Sequence, residues 1–305
     1  EECYVGSVLE HIEECGIHSG DSACCWPPFS LSEKIVDQIR AITKKLALAC
    51  GIRGLLNIQY AVRDEHVFVI ELNPRASRTV PFSSKATGVS LAKYASRIMA
   101  GEKISELRAQ GLLPDENRTV DYYAVKEAVM PWSRFPGADS ILGPEMKSTG
   151  EVMGIARTFP AAYAKTREAV ENKLPEQGSV FISVCDRDKR AIAPVAMALE
   201  NLGYGIYTTG GTAKTLRAAG IDCTTVNRIS DGHPNVVDLM RDKTVSFIIN
   251  TPHGHEAHSD GTKMRAEAVS QGITCVTAMS AATALIQALA AARKSEPETF
   301  ALQDL

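Results

Sequence analysis

A strand that runs Val67-Phe68-Val69-Ile70 and then turns to Glu71, Asn73, Pro74, Arg75 and Arg78 carries chemistry at its end. Just before it, Leu56, Ile58, Tyr60 and Val62 alternate with Asn57 and Gln59. Arg63-Asp64-Glu65-His66 separates the two runs as a hairpin turn. Side chains alternate faces along a strand, so Glu71 and Asn73 point the same way. If the even positions of both strands, Phe68, Ile70 and Leu72 included, share a core, the pairing must set odd against odd. Gln59, Glu71 and Asn73 then occupy one polar face. Three oxygen-bearing side chains suit Mg2+, which takes carboxylate and phosphate oxygens and keeps some water. Arginine's fork suits phosphate. The same pattern also fits a solvated outer face with surface arginines, which antiparallel sheets commonly have.

A second group lies in the C-terminal half. "YTTGGTAKTLRAAG" (207–220) reads as strand, loop and helix, with Gly210 and Gly211 where a phosphate could approach the N–H groups of a helix start. Thr209 and Thr212 flank the glycines, although a tight turn needing two glycines explains the motif equally. Lys189 follows one expected strand, Arg228 another, and Asn250-Thr251 a third. The carboxyl ends of strands in an open parallel sheet line its ligand crevice, so these residues are expected to form a phosphomonoester pocket. The dinucleotide G-x-G-x-x-G and its ribose-binding acid are absent. His253, His255 and His258 invite a zinc reading, but nothing nearby completes a ligand set and a solvated loop is favoured.

The elements that must carry these groups follow from periodicity. "SLSEKIVDQIRAITKKLALACGI" predicts a helix capped by Ser32 and closed by Gly51. Residues 89–101 predict another. Residues 102–178 read as less regular, with Pro114, Pro131, Pro136, Pro144, Pro160 and Pro175 and one strand candidate, "YYAVKEAVM". "KLPEQGS" (173–179) is the expected boundary. Beyond it, strand candidates SVFISV, YGIYT, DCTTV, VSFIIN and ITCVT alternate with helices at 188–202, 212–219, 235–241, 260–271 and 280–293. That predicts a parallel sheet with helices on both faces.

Composition bounds the rest. The chain has 305 residues, 45% hydrophobic and 23% charged, with formal net charge −3, which gives no reason to expect nucleic-acid or membrane binding. No apolar run approaches a membrane span. Eight cysteines without a C-x-x-C fit free thiols in a reducing cytoplasm better than a disulfide framework. The first residue is not Met and no signal pattern follows, as expected of a fragment.

"HIEECGIHSGDSACCWPPFSL", "IELNPRASRTVPFSSKATG" and "GPEMKSTGEVMG" together resemble the large chain of carbamoyl phosphate synthetase, at the end of its second ATP-grasp half. The likeness covers nearly the whole chain. It implies an α/β protein in three parts. Residues 1–108 would be the C-terminal lobe of an ATP-grasp fold (α+β with the antiparallel hairpin), and 109–171 a connecting region. Residues 172–305 would be a five-stranded, Rossmann-like, methylglyoxal-synthase-like allosteric domain.

The resemblance also implies roles. Gln59, Glu71 and Asn73 would hold Mg2+ or Mn2+, with Gly16, Ile17, His18, Ser19, Gln59 and Glu71 at ATP, and Arg75 and Arg78 would face the phosphoryl group and carbamate. Ser183, Lys189, Thr209, Thr212, Arg228, Asn250 and Thr251 would contact a nucleotide effector such as UMP or IMP. Arg228 stands where some members have Lys, Pro252 replaces a hydroxyl residue, and Cys275 stands where an ornithine-contacting Tyr occurs. Glu13, Asp21 and Glu127 match positions that bind ornithine in some members. The implied reaction is ATP-dependent phosphorylation of carbamate (derived from bicarbonate) to carbamoyl phosphate, for pyrimidine and arginine synthesis. It would need a glutaminase small subunit and the rest of the large chain, so the fragment alone is expected to be inactive. The alternative is a stand-alone nucleotide-binding module. Asp186 and Asp231 make no complete catalytic pair, so methylglyoxal synthase activity is not expected.

Overall fold

The computed structural model describes residues 1–170, 175, 177–251, 258–294 and 298–304. Three sheets organise them. Short strands β1 (Glu10–His11) and β2 (Cys24–Trp26) precede helix α1 (Glu33–Ala49). The hairpin is β3 (Asn57–Arg63) with β4 (His66–Asn73), and helices α2 (Val80–Thr87), α3 (Leu91–Met99) and α4 (Ile104–Ala109) follow. Strands β5 (Tyr123–Val129) and β6 (Gly150–Ala156) then join β1 and β2 in an antiparallel sheet of order β1-β2-β5-β6, backed by α5 (Phe159–Ala169).

The stretch read as irregular is therefore more ordered than expected. Besides β5 it supplies β6 and α5, and its strands pair across residue 108 with the N-terminal segment. Proline drew attention away from them. Pro160 stands at the start of α5, where a helix has no N–H partner to lose. The helix is opened by Thr158, whose hydroxyl accepts the Ala161 N–H at 3.4 Å. Gly154 on β6 lies so close to α5 that a Cβ there would collide with the Ala162 carbonyl.

The C-terminal part follows the expected alternation. Its strands are β7 (Ser179–Ser183), β8 (Gly205–Thr209), β9 (Thr224–Val226), β10 (Phe247–Asn250) and β11 (Thr274–Val276), all parallel in the order β11-β10-β7-β8-β9. The helices between and after them are α6 (Lys189–Asn201), α7 (Gly210–Ala218), α8 (Val236–Arg241), α9 (His258–Gln271) and α10 (Met279–Ala292). One face packs Val180, Ile182 and Ile249 against Ile192, Leu199, Leu216 and Leu285. The other packs Phe181 and Ile248 against Val236, Met240 and Met264. Residues 173, 174 and 176 of the expected boundary at 173–179 lie outside the described residues. A separate core joins the two parts, where Ile12, Val125, Phe159 and Tyr163 meet Ala284 and Ala288 of α10.

The hairpin differs from expectation in one respect. Its pairing begins odd against odd, Asn57 with Asn73 and Gln59 with Glu71, but a bulge between Gln59 and Tyr60 shifts the phase. Tyr60 then faces Val69, and Val62 faces Val67. Tyr60 and Val67 pack near Val5, Val8, Ile35 and Ile39. Phe68 and Ile70, expected in the core, are 54% and 48% exposed. The bulge has handed their place to odd-numbered Val67. Ser32 precedes α1 as expected, although its hydroxyl makes no cap bond, and Gly51 closes the helix at φ +62. All eight cysteines are free, and Cys24, Cys25, Cys185 and Cys223 are buried. No helix among the described residues is long and apolar enough to cross a membrane.

Candidate functional site

At the base of the hairpin, register alone sets Gln59 beside Glu71, and Asn73 Nδ2 donates to Glu71 Oε1 at 2.9 Å. That bond turns the amide's nitrogen toward the carboxylate and leaves its oxygen for another partner. A cavity of 510 Å3 borders Gln59 and includes Gly16, Ile17 and Ser19 in its wall, whereas His18, Glu71 and Asn73 lie outside that lining. Gly16 sits at φ +102, a conformation that a side chain would strain. His18 turns inward on its own loop, where its Nδ1 accepts the Gly20 N–H at 3.0 Å.

The two arginines are differently held. Arg75 is exposed and, among the described residues, its Nη1 reaches only the Ala76 carbonyl, at 3.0 Å. Arg78 Nη1 donates to both the carbonyl and the hydroxyl of Ser148, each at 3.0 Å. Ser148 is itself fixed, because its N–H and that of Lys147 donate to the Asp21 carboxylate at 2.9 and 2.8 Å. The expected cation-binding residue Asp21 is thus spent on backbone. Glu127 is likewise engaged, accepting the Thr166 hydroxyl at 2.8 Å and a guanidinium hydrogen bond from buried Arg167. Glu13 accepts the Ala23 N–H at 2.6 Å, and burial, reinforced by Glu127, pushes its carboxyl up to about 7.

Two charged residues that sequence reasoning passed over belong here. Lys126 is fully buried on β5, donates to the Ser19 carbonyl at 3.1 Å, and stands 3.7 Å from Glu151 on β6. Burial raises the Glu151 carboxyl, opposed by the charges of Lys126 and Arg78. The same burial, with Lys126, holds His11 down at about 4. The signal was present: a strand with Lys-Glu at its centre, "YAVKEAV", must either face water or pair its charges.

The C-terminal crevice gathers most of its expected residues. Ser183 and Thr209 hydroxyls lie 3.2 Å apart, the Val184 N–H donates to Thr212 at 3.4 Å, and the Cys185 N–H donates to Thr251 at 3.1 Å. Asn250 Nδ2 donates to the Ser183 carbonyl at 2.9 Å. Gly210 begins α7, and a Cβ at Gly211 would stand 3.6 Å from the Lys189 ammonium, so that cation overlooks the helix start. Lys189 is paired with Asp186. Arg228 stands at the same sheet edge after β9, exposed, at the head of a 3-10 turn. A hydroxyl-lined turn with an ammonium over a helix N-terminus can hold a phosphate dianion. Pro252, His253 and His255 lie outside the described residues, as does the His258 side chain. Among the described residues no three His, Cys, Asp or Glu side chains converge as a metal site. That leaves the hairpin group untouched, because two of its three members are amides.

Two family models match the sequence: "Carbamoyl-phosphate synthase L chain, ATP binding domain" over residues 5–107 and "MGS-like domain" over 191–277. The carbamoyl phosphate synthase large chain of Pasteurella multocida is 46% identical over 305 residues, 100% of this chain and 28% of its own length. That of Pseudomonas syringae pv. tomato is 47% identical over 304 residues, 99% of this chain and 27% of its own. The carbamoyl phosphate synthase large chain, C-terminal section, of Aquifex aeolicus is 45% identical over 308 residues, covering 96% of this chain and 57% of its own length. The chain thus spans little more than a quarter of the first two relatives.

Proposed function

Because the chain belongs to the carbamoyl phosphate synthase large-chain family and carries its C-terminal section, we propose that it supplies half of a phosphorylating site and a nucleotide sensor. In the whole protein, residues 1–108 help hold ATP for the phosphorylation of carbamate, 109–171 connect, and 172–305 answer to an effector such as UMP or IMP. The whole protein draws nitrogen through a glutaminase partner and works in the cytoplasm. The 305 residues alone are inactive in this reading, because the partner lobe that would close over ATP belongs to the remaining length of the relatives.

One observation carries the catalytic half: the pairing of Gln59 with Glu71, extended by the Asn73–Glu71 hydrogen bond. One carboxylate and two amide oxygens on a rigid hairpin base are the hard donors that Mg2+ or Mn2+ takes, so the residues fit the ion. When bound, the ion would neutralise charge on the ATP phosphate oxygens. The protein's own share is positional. Gly16 to Ser19 shape the nucleotide edge, Arg78 is pre-aimed by Ser148, and exposed Arg75 retains most of its donors for an incoming phosphoryl group. Ornithine would enter at Glu13, which borders the cavity, whereas both carboxylate oxygens of Asp21 and of Glu127 are taken.

Thermal unfolding of the chain with Mg·ATP and with UMP, run separately, tests both halves. A ligand at a hundred times its Kd adds about 2.7 kcal/mol of stability. The expected result is a Mg·ATP shift lost in Glu71→Ala and a UMP shift lost in Lys189→Ala. A UMP shift alone favours the stand-alone sensor, and no shift with either ligand overturns the proposal.

A further inference from the structure

Arg265 on α9 is 1% exposed, yet it carries a charge into the interior of the C-terminal part. Its Nε and Nη2 grip the Asp139 carboxylate at 2.5 and 2.8 Å, and its Nη1 donates to Asn250 Oδ1 at 3.2 Å. Asn250 ends β10 inside the crevice, whereas Asp139 belongs to the segment between β5 and β6. The ion pair therefore crosses from one part of the molecule to the other. Although burial works against it, the guanidinium holds the Asp139 carboxyl below its ordinary range.

From Asp139 the segment runs straight to the phosphoryl side. The Gly143 carbonyl accepts the His18 N–H at 2.8 Å, and the Lys147 and Ser148 N–H groups end on Asp21. The Ser148 hydroxyl donates to the Gly20 carbonyl at 3.0 Å, and Arg78 closes on Ser148. Lys147 Nζ also reaches back to the Ile141 carbonyl at 2.7 Å, which braces the segment on itself. A second contact runs beside it, from Arg187, two residues before Lys189, to Glu14 at 3.6 Å.

We propose that residues 139–148 are a strap that couples the C-terminal crevice to the loop 16–21 and to Arg78, with Arg265 and Asp139 as positioning residues. The inference rests on reading the crevice as a nucleotide site. A buried guanidinium strongly resists losing its carboxylate, so Arg265 and Asp139 move as one body. A ligand that recruits Asn250 takes away or strengthens one of Arg265's bonds, and the strap is the part free to respond. Coupling of this kind must act equally in both directions.

Hydrogen exchange of the full chain, with UMP and then IMP as probes, reads the strap without requiring catalysis. With either nucleotide, peptides covering 183–189 and 207–213 should be protected, and exchange in 139–149 and 14–22 should change by about fivefold or more. In Asp139→Asn the crevice protection should persist while the change in the other two segments vanishes. The double variant Asp139→Asn/Arg265→Gln, which leaves no buried charge alone, should behave the same way and covers the case in which the single variant fails to fold. Crevice protection with no change in 139–149, or a change that survives in both variants, overturns the strap. Absence of crevice protection with either nucleotide overturns instead the reading beneath it.

Discussion

Two runs of nearly the same composition meet opposite fates in this chain. Phe247, Ile248 and Ile249 of β10 are 0–1% exposed, whereas Phe68, Val69 and Ile70 of β4 are 47–54% exposed. The difference is one of cover. β10 has β7 and β11 at its sides and helices above and below, whereas β4 pairs only with β3 and packs mainly against α1. Apolar sequence prescribes a strand in both places, and neighbours decide whether it is buried. The N-terminal antiparallel sheet adds a third outcome, burying charge at Lys126 and Glu127 where the buried strand residues of the parallel sheet are all uncharged.

The sharpest way to press this comparison is to cut both strands. Ile249→Ala should cost about 2–5 kcal/mol by leaving a cavity, measured by urea unfolding. A loss under 1 kcal/mol would mean that the parallel sheet is not the rigid half.

The buried acids give a somewhat smaller effect, with a pH signature. The folded Glu13 carboxyl, pushed up to about 7 from an ordinary 4.5, keeps a proton that the unfolded chain has released, so stability falls as pH rises between those values. The loss levels off at roughly 3 kcal/mol above that window. His11 works in the opposite sense. Burial and Lys126 hold it at about 4 against 6.5, so there the unfolded chain binds the extra proton and stability rises with pH. Glu13→Gln should remove the first slope and keep the second. Unfolding midpoints of both proteins across the acid-to-neutral range decide it, and identical curves would show that Glu13 is not the titrating group.

The smallest effect is expected at the hairpin. Phe68→Ser should change stability by no more than about 0.5 kcal/mol, as surface changes do, while reducing self-association in sedimentation. A larger loss would show that the exposed run is covered in solution.

Much of this architecture was legible. The five C-terminal strands announced themselves because each is a short β-branched run ended by turn residues and followed by a helical period. The Gln59, Glu71 and Asn73 grouping was legible from parity alone. What escaped depends on contacts between residues distant in sequence. Strand β6 looks like surface until its pairing with β5 is known, the bulge has no local mark, and Asp139 finds Arg265 only across a separation of 126 positions along the chain. Thr158 and Pro160, by contrast, were a readable start to α5.

The bulge at Gln59 and Tyr60 has a consequence for how this chain can drift over generations. It divides the hairpin into a base, whose phase is set by Asn57 with Asn73 and Gln59 with Glu71, and a tip beyond Tyr60 that runs on a separate phase. Paired insertions or deletions in the tip leave the base in step. Loss of Ile70, the unmatched residue, would remove the bulge and merge the two phases, with Tyr60 still opposite Val69 and Val62 still opposite Val67. One supernumerary residue thus acts as an insulator, letting the outer hairpin diverge among descendants while the chemistry at its foot is inherited unchanged.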